Sequence, residues 1–173
     1  PPPEILVLDY DEAHLWRASL DLQISRVRSL KQILSPDERT QAGQFHFWKD
    51  RTHFIVARGL LRAVLARYLA TDPRTLRFCY SAYGKPTLAE ESGSDALCFN
   101  VTHSHGMALY AITRSRAMGI DLEHIRMDIV CEPIAERFFS PYEVNMLRAV
   151  PAQMRSEAFL AAGRGRRHTS KRG

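Results

Sequence analysis

Two carboxylates, Asp121 and Glu123, have the residue types and spacing of half a metal site. They flank Leu122 in segment 117–123, which reads as the second strand of a hairpin with 107–113. Because alternate side chains of a strand leave the same face, we expect the two carboxylates to point together. Carboxylate oxygens on a rigid element suit Mg²⁺, the usual metal of phosphate chemistry. Taken alone, such a pair is more often a solvated strand edge, so both interpretations stay open.

Two polar turns add groups that bind phosphate. Lys85 and Pro86 belong to a Gly/Pro turn over residues 83–87, and His103 follows Thr102 in the polar segment 99–104. Lysine and histidine both donate hydrogen bonds to phosphate oxygens. Each also has an ordinary interpretation, Lys85 as a turn lysine and His103 as a hydrogen-bonded turn residue. We expect four other histidines to be structural or at the surface: His46, His53, His105 and His124.

Periodicity and turn signals predict the elements that must position these groups. Ser35 and Ser140 each begin a Ser-Pro-x-Glu helix start. The long helix over 52–69 carries Arg58 and Arg62 on one face. We expect this face to be solvated, and contact with phosphate is the less favoured alternative. Further helices are predicted over 21–33, 134–139 and 153–162, and strands over 5–9, 76–80, 107–113 and 117–123.

Composition excludes several classes of protein. The 173 residues are 45% hydrophobic and 25% charged, as in an ordinary globular protein, and no apolar run approaches the roughly 20 residues of a membrane span. Three scattered cysteines, Cys79, Cys98 and Cys131, suit reduced thiols and a cytoplasmic location. We therefore expect neither a membrane nor a disulfide framework.

The positive charge of the chain comes from its end. Five basic residues lie within 164–173, and the remaining Lys and Arg equal the 19 Asp and Glu residues, so the net charge of +5 belongs to this tail. A basic tail permits nucleic-acid binding. Because no nucleic-acid motif accompanies it, we expect no nucleic-acid partner.

The motifs, taken in order, resemble those of the 4'-phosphopantetheinyl transferases of the surfactin-synthetase-activating type. A single match would be weak, but the matches are collinear and cover nearly the whole chain to about Ala162. They comprise Ser35 to Arg39 with Phe45, residues 57–62, 83–86, 99–104 and 119–123, and residues 137–140 with Glu143.

This resemblance implies a function and a fold. The family transfers the 4'-phosphopantetheine arm of coenzyme A to a serine of an acyl or peptidyl carrier protein, as a holo-carrier-protein synthase, and releases 3',5'-ADP. By resemblance Asp121 and Glu123 bind Mg²⁺ and are catalytic with His103. Coenzyme A, the substrate, is contacted by the residues at Gln41, Lys85, Pro86, Thr102 and His103. The implied fold is α+β, a pseudo-twofold pair of α+β halves of which the second is incomplete here.

The chain departs from the family at Gln41, where a basic residue normally reaches a coenzyme A phosphate. An amide still donates a hydrogen bond but brings no charge, and a charged phosphate contact is worth about 1–3 kcal/mol. We expect weakened coenzyme A binding that Gln41→Arg strengthens.

The second departure is the tail. Where the family carries Trp-x-x-Lys-Glu-Ala, whose Glu is the third metal-site carboxylate and a base, this chain has residues 163–173, which lack apolar side chains. Codons read from the last base of Ala162 onward can encode Trp-Thr-Arg-Lys-Glu-Ala. We therefore interpret 163–173 as out of frame. The expected organisation is residues 1–105 as the N-terminal half, 106–162 as the start of the second half with the metal-binding strand, and 163–173 as a tail.

Two functions remain open. The chain is either a Mg²⁺-dependent transferase, inactive if the truncation removes an essential carboxylate, or a non-catalytic remnant that binds coenzyme A or a carrier protein. Members of this type are typically monomeric, so the resemblance also implies a monomer.

Overall fold

The computed structural model describes residues 6–82, 84–89, 97–124, 135–137 and 139–166, with only the backbone for 160 and 162–166. The chain forms two compact units, Pro1–Leu122 and Glu123–Gly173. Helices and antiparallel strands occur together in the first unit, so the predicted α+β class is confirmed.

The first unit begins with a strand and three helices and ends with four strands. In chain order its elements are β1 (Ala13–Ser19), α1 (Ile24–Gln32), α2 (Pro36–Gln44), α3 (Trp48–Tyr68), β2 (Phe78–Tyr80), β3 (Pro86–Leu88), β4 (Leu97–Ser104) and β5 (Met107–Arg114).

The main sheet has the order β1-β5-β4, with every pairing antiparallel. Because β5 is hydrogen-bonded on both edges, it has no free edge for the strand predicted over 117–123, and that hairpin is not formed. Residues 117–124 lie outside helices and strands. The strand predicted over 5–9 is also wrong for its described residues 6–9, and the chain pairs instead through β1.

Helix α3 packs on this sheet and supplies much of the core. Val56, Leu61 and Leu65 are at most 1% exposed, as are Tyr110 and Ile112 of β5. The Tyr110 hydroxyl donates a hydrogen bond to the Ala57 carbonyl across 3.1 Å. The same burial raises the pKa of Tyr110.

The two predicted Ser-Pro-x-Glu helix starts are confirmed. Ser35 begins α2 and Ser140 begins α4 (Pro141–Ala149), each with a capping box and with proline at the start of the helix. In both boxes the glutamate three residues later accepts a hydrogen bond from the serine backbone N–H.

The second unit contains α4, a 3₁₀ helix (Ala152–Met154) and α5 (Arg155–Arg166). Its small core consists of Ala135, Val144 and Leu147, with Phe139 stacked on Phe159 at 5.2 Å between ring centroids. The first four residues of the predicted tail continue α5, while residues 167–173 lie outside the described ranges. No helix in the described ranges combines the length and apolar character that crossing a bilayer requires.

Candidate functional site

A cavity of about 450 Å³ opens beside α3, within the first unit. Its apolar side is formed by Phe45, Phe54, Ala57, Leu61, Pro86 and Val101, and its polar side by Asp50, His53, Arg58, His103 and His105. One carboxylate thus stands against a guanidinium and three imidazoles. This balance of charge and aromatic surface favours an anionic ligand that carries a flat apolar group.

The β4–β5 turn holds two of these histidines at the cavity. The turn consists of His105 and Gly106, and both have positive φ, 48° and 76°. Two consecutive positive φ values are the signature of a two-residue type I′ hairpin turn, which matches the twist of the flanking strands. The paired register runs up to Ser104 opposite Met107, so the positions of His103 and His105 are fixed by the hairpin.

The imidazole of His53 is held by the carboxylate of Asp21. Its Nε2 lies 2.8 Å from Oδ1 of Asp21, with the imidazole side chain 18% exposed and the carboxylate 64% exposed. The hydrogen bond from His53 lowers the pKa of Asp21. A Cβ on Gly106 would lie 2.5 Å from Asp21 Oδ2, so a larger residue there would push this exposed carboxylate aside. Asp21 therefore holds the imidazole of His53, which lines the cavity, beside the β4–β5 turn.

Arg58 contributes the strongest positive charge to the cavity. Its Cζ lies 5.8 Å from the ring centroid of Phe54, 5.9 Å from that of Phe78 and 5.4 Å from that of Tyr80. Such distances are those of cation–π contacts, which orient a guanidinium without using its N–H donors. Burial raises the pKa of Tyr80, and the charge of Arg58 opposes this rise.

Arg62, one helical turn later, does not lie on a solvated face as the sequence analysis expected. It is 1% exposed, and its Nε donates to Glu38 Oε2 across 2.7 Å. Its Nη1 also donates to the carbonyls of Pro73 and Leu76, each at 2.9 Å. The Arg62 guanidinium is therefore buried in the core around α3, although helical periodicity alone predicts that it faces solvent.

Two of the residues predicted to bind the substrate line the cavity, Pro86 from β3 and His103 from β4. The segment 99–104, read as a polar turn, is in fact the end of strand β4. Strand alternation places His103 on the same face as Val101 and Thr102 on the other. Thr102 is half-buried and is not among the residues that line this cavity.

Lys85 and Gln41 lie outside this cavity. Lys85 is exposed and lines a separate cavity of about 250 Å³ that it shares with Pro86, while Gly84 in the same turn has a φ of 72°. Gln41 is exposed on α2. Tyr83 of the Gly/Pro turn lies outside the described residues.

The expected shared strand face of Asp121 and Glu123 is not formed, because 117–124 is not a strand. Asp121 is exposed and ends the first unit with Leu122, and Glu123 begins the second. Two carboxylates are chemically suited to Mg²⁺, which prefers oxygen ligands. Within the described ranges no group of three His, Cys, Asp or Glu side chains has the arrangement of a metal site.

Sequence reasoning did not select four polar side chains of the cavity, Asp50, His53, Arg58 and His105. For Arg58 it favoured a solvated helix face over phosphate contact. A signal was present, because the predicted helix places Phe54, Ala57 and Arg58 at i, i+3 and i+4 on neighbouring positions of one surface. The pairing of His53 with Asp21 joins residues 32 positions apart and leaves no local signal.

Comparison with known proteins gives a consistent family assignment. Residues 16–115 match the model of the N-terminal region of 4'-phosphopantetheinyl transferases, a segment that contains every residue lining the cavity. The 4'-phosphopantetheinyl transferase HetI of Nostoc sp. strain PCC 7120 is 40% identical over 92% of this chain and 68% of its own length.

Two bacillar relatives are more distant. The 4'-phosphopantetheinyl transferase of Bacillus subtilis is 28% identical over 73% of this chain, and psf-1 of Bacillus pumilus is 30% identical over 78%. The chain spans only 54% and 55% of their lengths. The family model and the identity to HetI together show that the chain belongs to the 4'-phosphopantetheinyl transferase family.

Proposed function

We propose that this chain binds coenzyme A in the α3 cavity and that it transfers the 4'-phosphopantetheine arm to a serine of an acyl or peptidyl carrier protein. The observation that carries the proposal is the cavity itself, which gathers Arg58, His53, His103 and His105 beside two phenylalanine rings. All of these residues lie in the segment that matches the family model.

The cavity suits the nucleotide end of coenzyme A. An adenine ring is flat and largely apolar, and Phe45 and Phe54 form an aromatic wall, with 5.3 Å between their centroids. The phosphates are anions, for which guanidinium and imidazolium N–H groups are strong donors. Lys85 and Pro86, at the smaller neighbouring cavity, extend the region available to the same ligand.

The reaction is a phosphoryl transfer, which depends on positioning and on stabilisation of charge. The serine oxygen of the carrier protein forms a bond to the phosphorus that bears the pantetheine arm. The bond from that phosphorus to the bridging oxygen breaks, 3',5'-ADP leaves with the electron pair, and the serine proton passes to a base. In this chain the cavity residues hold the nucleotide, and His103 at its rim supplies an imidazole close to the phosphates.

Asp121 and Glu123 are the residues that would hold Mg²⁺. The ion, when bound, supplies charge neutralisation at the pyrophosphate. This assignment is supported by the carboxylate chemistry of the two residues and by their place in a segment that resembles the family's metal motif.

A second function is a remnant that binds coenzyme A or a carrier protein without transfer. The observation that favours it is the loss of the predicted strand at 117–123, the element expected to align the two carboxylates. In either case we propose a monomer that acts in the cytoplasm, in keeping with the free thiols of Cys79 and Cys98.

Mass spectrometry of an apo-carrier protein tests the proposal. The carrier is incubated with this chain, coenzyme A and Mg²⁺, and the gain of a phosphopantetheine group is the expected result for the transferase. Calorimetric titration with coenzyme A is run on the same preparation. Binding without transfer establishes the remnant that binds coenzyme A. Absence of both binding and transfer refutes the transferase and that remnant.

A further inference from the structure

The chain between β5 and Asp121 is not a strand, but it is fixed to the first unit by side-chain contacts. Ser115 leaves β5 with a φ of 51°, a left-handed conformation that is uncommon for residues other than glycine. The Thr113 hydroxyl donates a hydrogen bond to the Arg116 carbonyl, and Nη2 of Arg116 donates to the carbonyl of Asp11 across 3.2 Å. These contacts fix the turn that follows β5.

The residues after this turn are held by Asn100 of β4. Its Nδ2 donates a hydrogen bond to the Met118 carbonyl across 2.9 Å, in a partly buried position. Asn100 is paired with Ala111 of β5, so the sheet fixes its place. An amide donor on a rigid strand therefore holds the backbone of Met118, three residues before Asp121.

The absence of a strand makes this bond important. Residues 117–124, all of which the structure describes, belong to no strand, so no ladder of backbone hydrogen bonds aligns Asp121 with the sheet. Three residues of extended chain span at most about 11 Å, which limits how far Asp121 lies from the anchored Met118. The side chain of Asn100 thus does for this segment what a neighbouring strand would otherwise do.

The same strand also carries residues of the α3 cavity. Val101 and His103 line that cavity, and strand alternation places the side chain of Asn100 on the opposite face of β4. One strand therefore presents His103 to the cavity and holds the segment that contains Asp121.

We propose that Asn100 is a positioning residue that places Asp121 for Mg²⁺ through its hydrogen bond to Met118. This inference rests on the proposed function, in which Asp121 and Glu123 would hold the ion. Loss of the bond leaves both carboxylates in the chain but releases the backbone before them. The expected effect is therefore on the response to Mg²⁺.

Calorimetric titration of the full chain with coenzyme A, with and without Mg²⁺, tests the proposal through the ratio of the two affinities. Asn100→Leu removes the N–H donor and is expected to lower this ratio about twofold to tenfold, the range for one neutral hydrogen bond. Asn100→Ser is too short to reach Met118 and should give the same loss, so the result does not depend on whether leucine is tolerated. Asn145→Leu, at an exposed position on α4, is the matched control and should leave the ratio unchanged.

Hydrogen exchange of the backbone amides locates the effect. In both Asn100 variants the amides of residues 119–121 should exchange faster, while those of β4 and β5 keep their protection. Faster exchange with an unchanged Mg²⁺ ratio would overturn the proposal, because Asn100 would then hold the backbone without affecting the metal site.

Two results with the unaltered chain separate this inference from the function on which it rests. Binding of coenzyme A that does not respond to Mg²⁺ would overturn the positioning role and leave the proposed coenzyme A site intact. Absence of coenzyme A binding would overturn the proposed function and the inference with it.

Discussion

Arg62 and Glu38 form an ion pair with 2.7 Å between Nε and Oε2, and each side chain is 1% exposed. Glu38 Oε2 also accepts the backbone N–H of Ser35, 3.1 Å away, as part of the capping box of α2. One carboxylate oxygen therefore fixes the start of α2 and attaches that helix to α3. Nη1 of Arg62 donates to the carbonyls of Pro73 and Leu76 and so attaches α3 to the loop before β2.

Arg62→Met tests how much this ion pair contributes to the stability of the fold. The variant leaves a buried carboxylate without its counter-ion, so we expect the free energy of unfolding to fall by about 3–5 kcal/mol. Urea denaturation followed by circular dichroism measures the change. The double variant with Glu38→Gln should recover part of the loss, and a fall below about 1 kcal/mol in the single variant would contradict the burial of the pair.

Gly106→Ala tests the β4–β5 turn. The substitution imposes a Cβ at a φ of 76° and 2.5 Å from Asp21 Oδ2, so we expect a loss of about 1–2 kcal/mol in unfolding free energy. Gly43→Ala is the matched control, because Gly43 lies within α2 and its Cβ would meet nothing within 4 Å. In that variant helix propensity predicts a gain of up to about 1 kcal/mol. Equal effects of the two substitutions would refute the strain expected at Gly106.

The pH dependence of stability includes a contribution from Asp72. Hydrogen bonds from Arg74 hold the pKa of Asp72 at about 2, below its ordinary value of 3.8. Because the folded pKa is depressed, the stabilisation is complete above pH 3.8 and is lost as pH falls through about 2. Carbon NMR titration of the Asp72 carboxyl group measures this, and Arg74→Gln should return the pKa towards 3.8. A titration midpoint unaffected by Arg74→Gln would exclude the Arg74 side chain as the cause.

Gln41→Arg is expected to tighten coenzyme A binding, but only slightly. Position 41 is exposed, so the added charge is screened, and we expect a gain of less than about threefold that disappears at high salt. Titration of coenzyme A at two ionic strengths measures it. A tenfold gain that persists at high salt would show that position 41 contacts phosphate directly.

Asp121→Asn tests the proposed metal role. Mg²⁺ is expected to tighten coenzyme A binding by the unaltered chain, and the variant should lose this dependence because an amide is a poorer Mg²⁺ ligand. Affinity measured without Mg²⁺ should be unchanged. Asp11→Asn, at another exposed position, should retain the response to Mg²⁺. A full response in Asp121→Asn would remove Asp121 from the metal site.

Local signals were sufficient for the helices of this chain. Ser35 and Ser140 marked the starts of α2 and α4 because a capping box is encoded within four residues. The spacing of Phe54, Leu61 and Leu65 indicated α3 because helical periodicity is repeated over many turns.

Long-range pairing was not available from local signals. β1 was missed. Residues 117–123 were expected to pair with β5, but both edges of β5 are already hydrogen-bonded, to β1 and to β4. Which strand occupies an edge is decided by competition between segments distant in sequence. The same limit explains why Pro86 and His103 were found from motifs, whereas the His53–Asp21 pair required the packed structure.

The two-residue turn at His105 and Gly106 also constrains how this chain can vary. Inserting one residue there would shift the pairing of β4 against β5, and a shift of one residue turns every side chain of a strand to the opposite face. Phe99, Val101 and His103 would then leave the cavity face together. We therefore expect relatives that keep this pocket to tolerate replacement of His105 more readily than any change in the length of the turn.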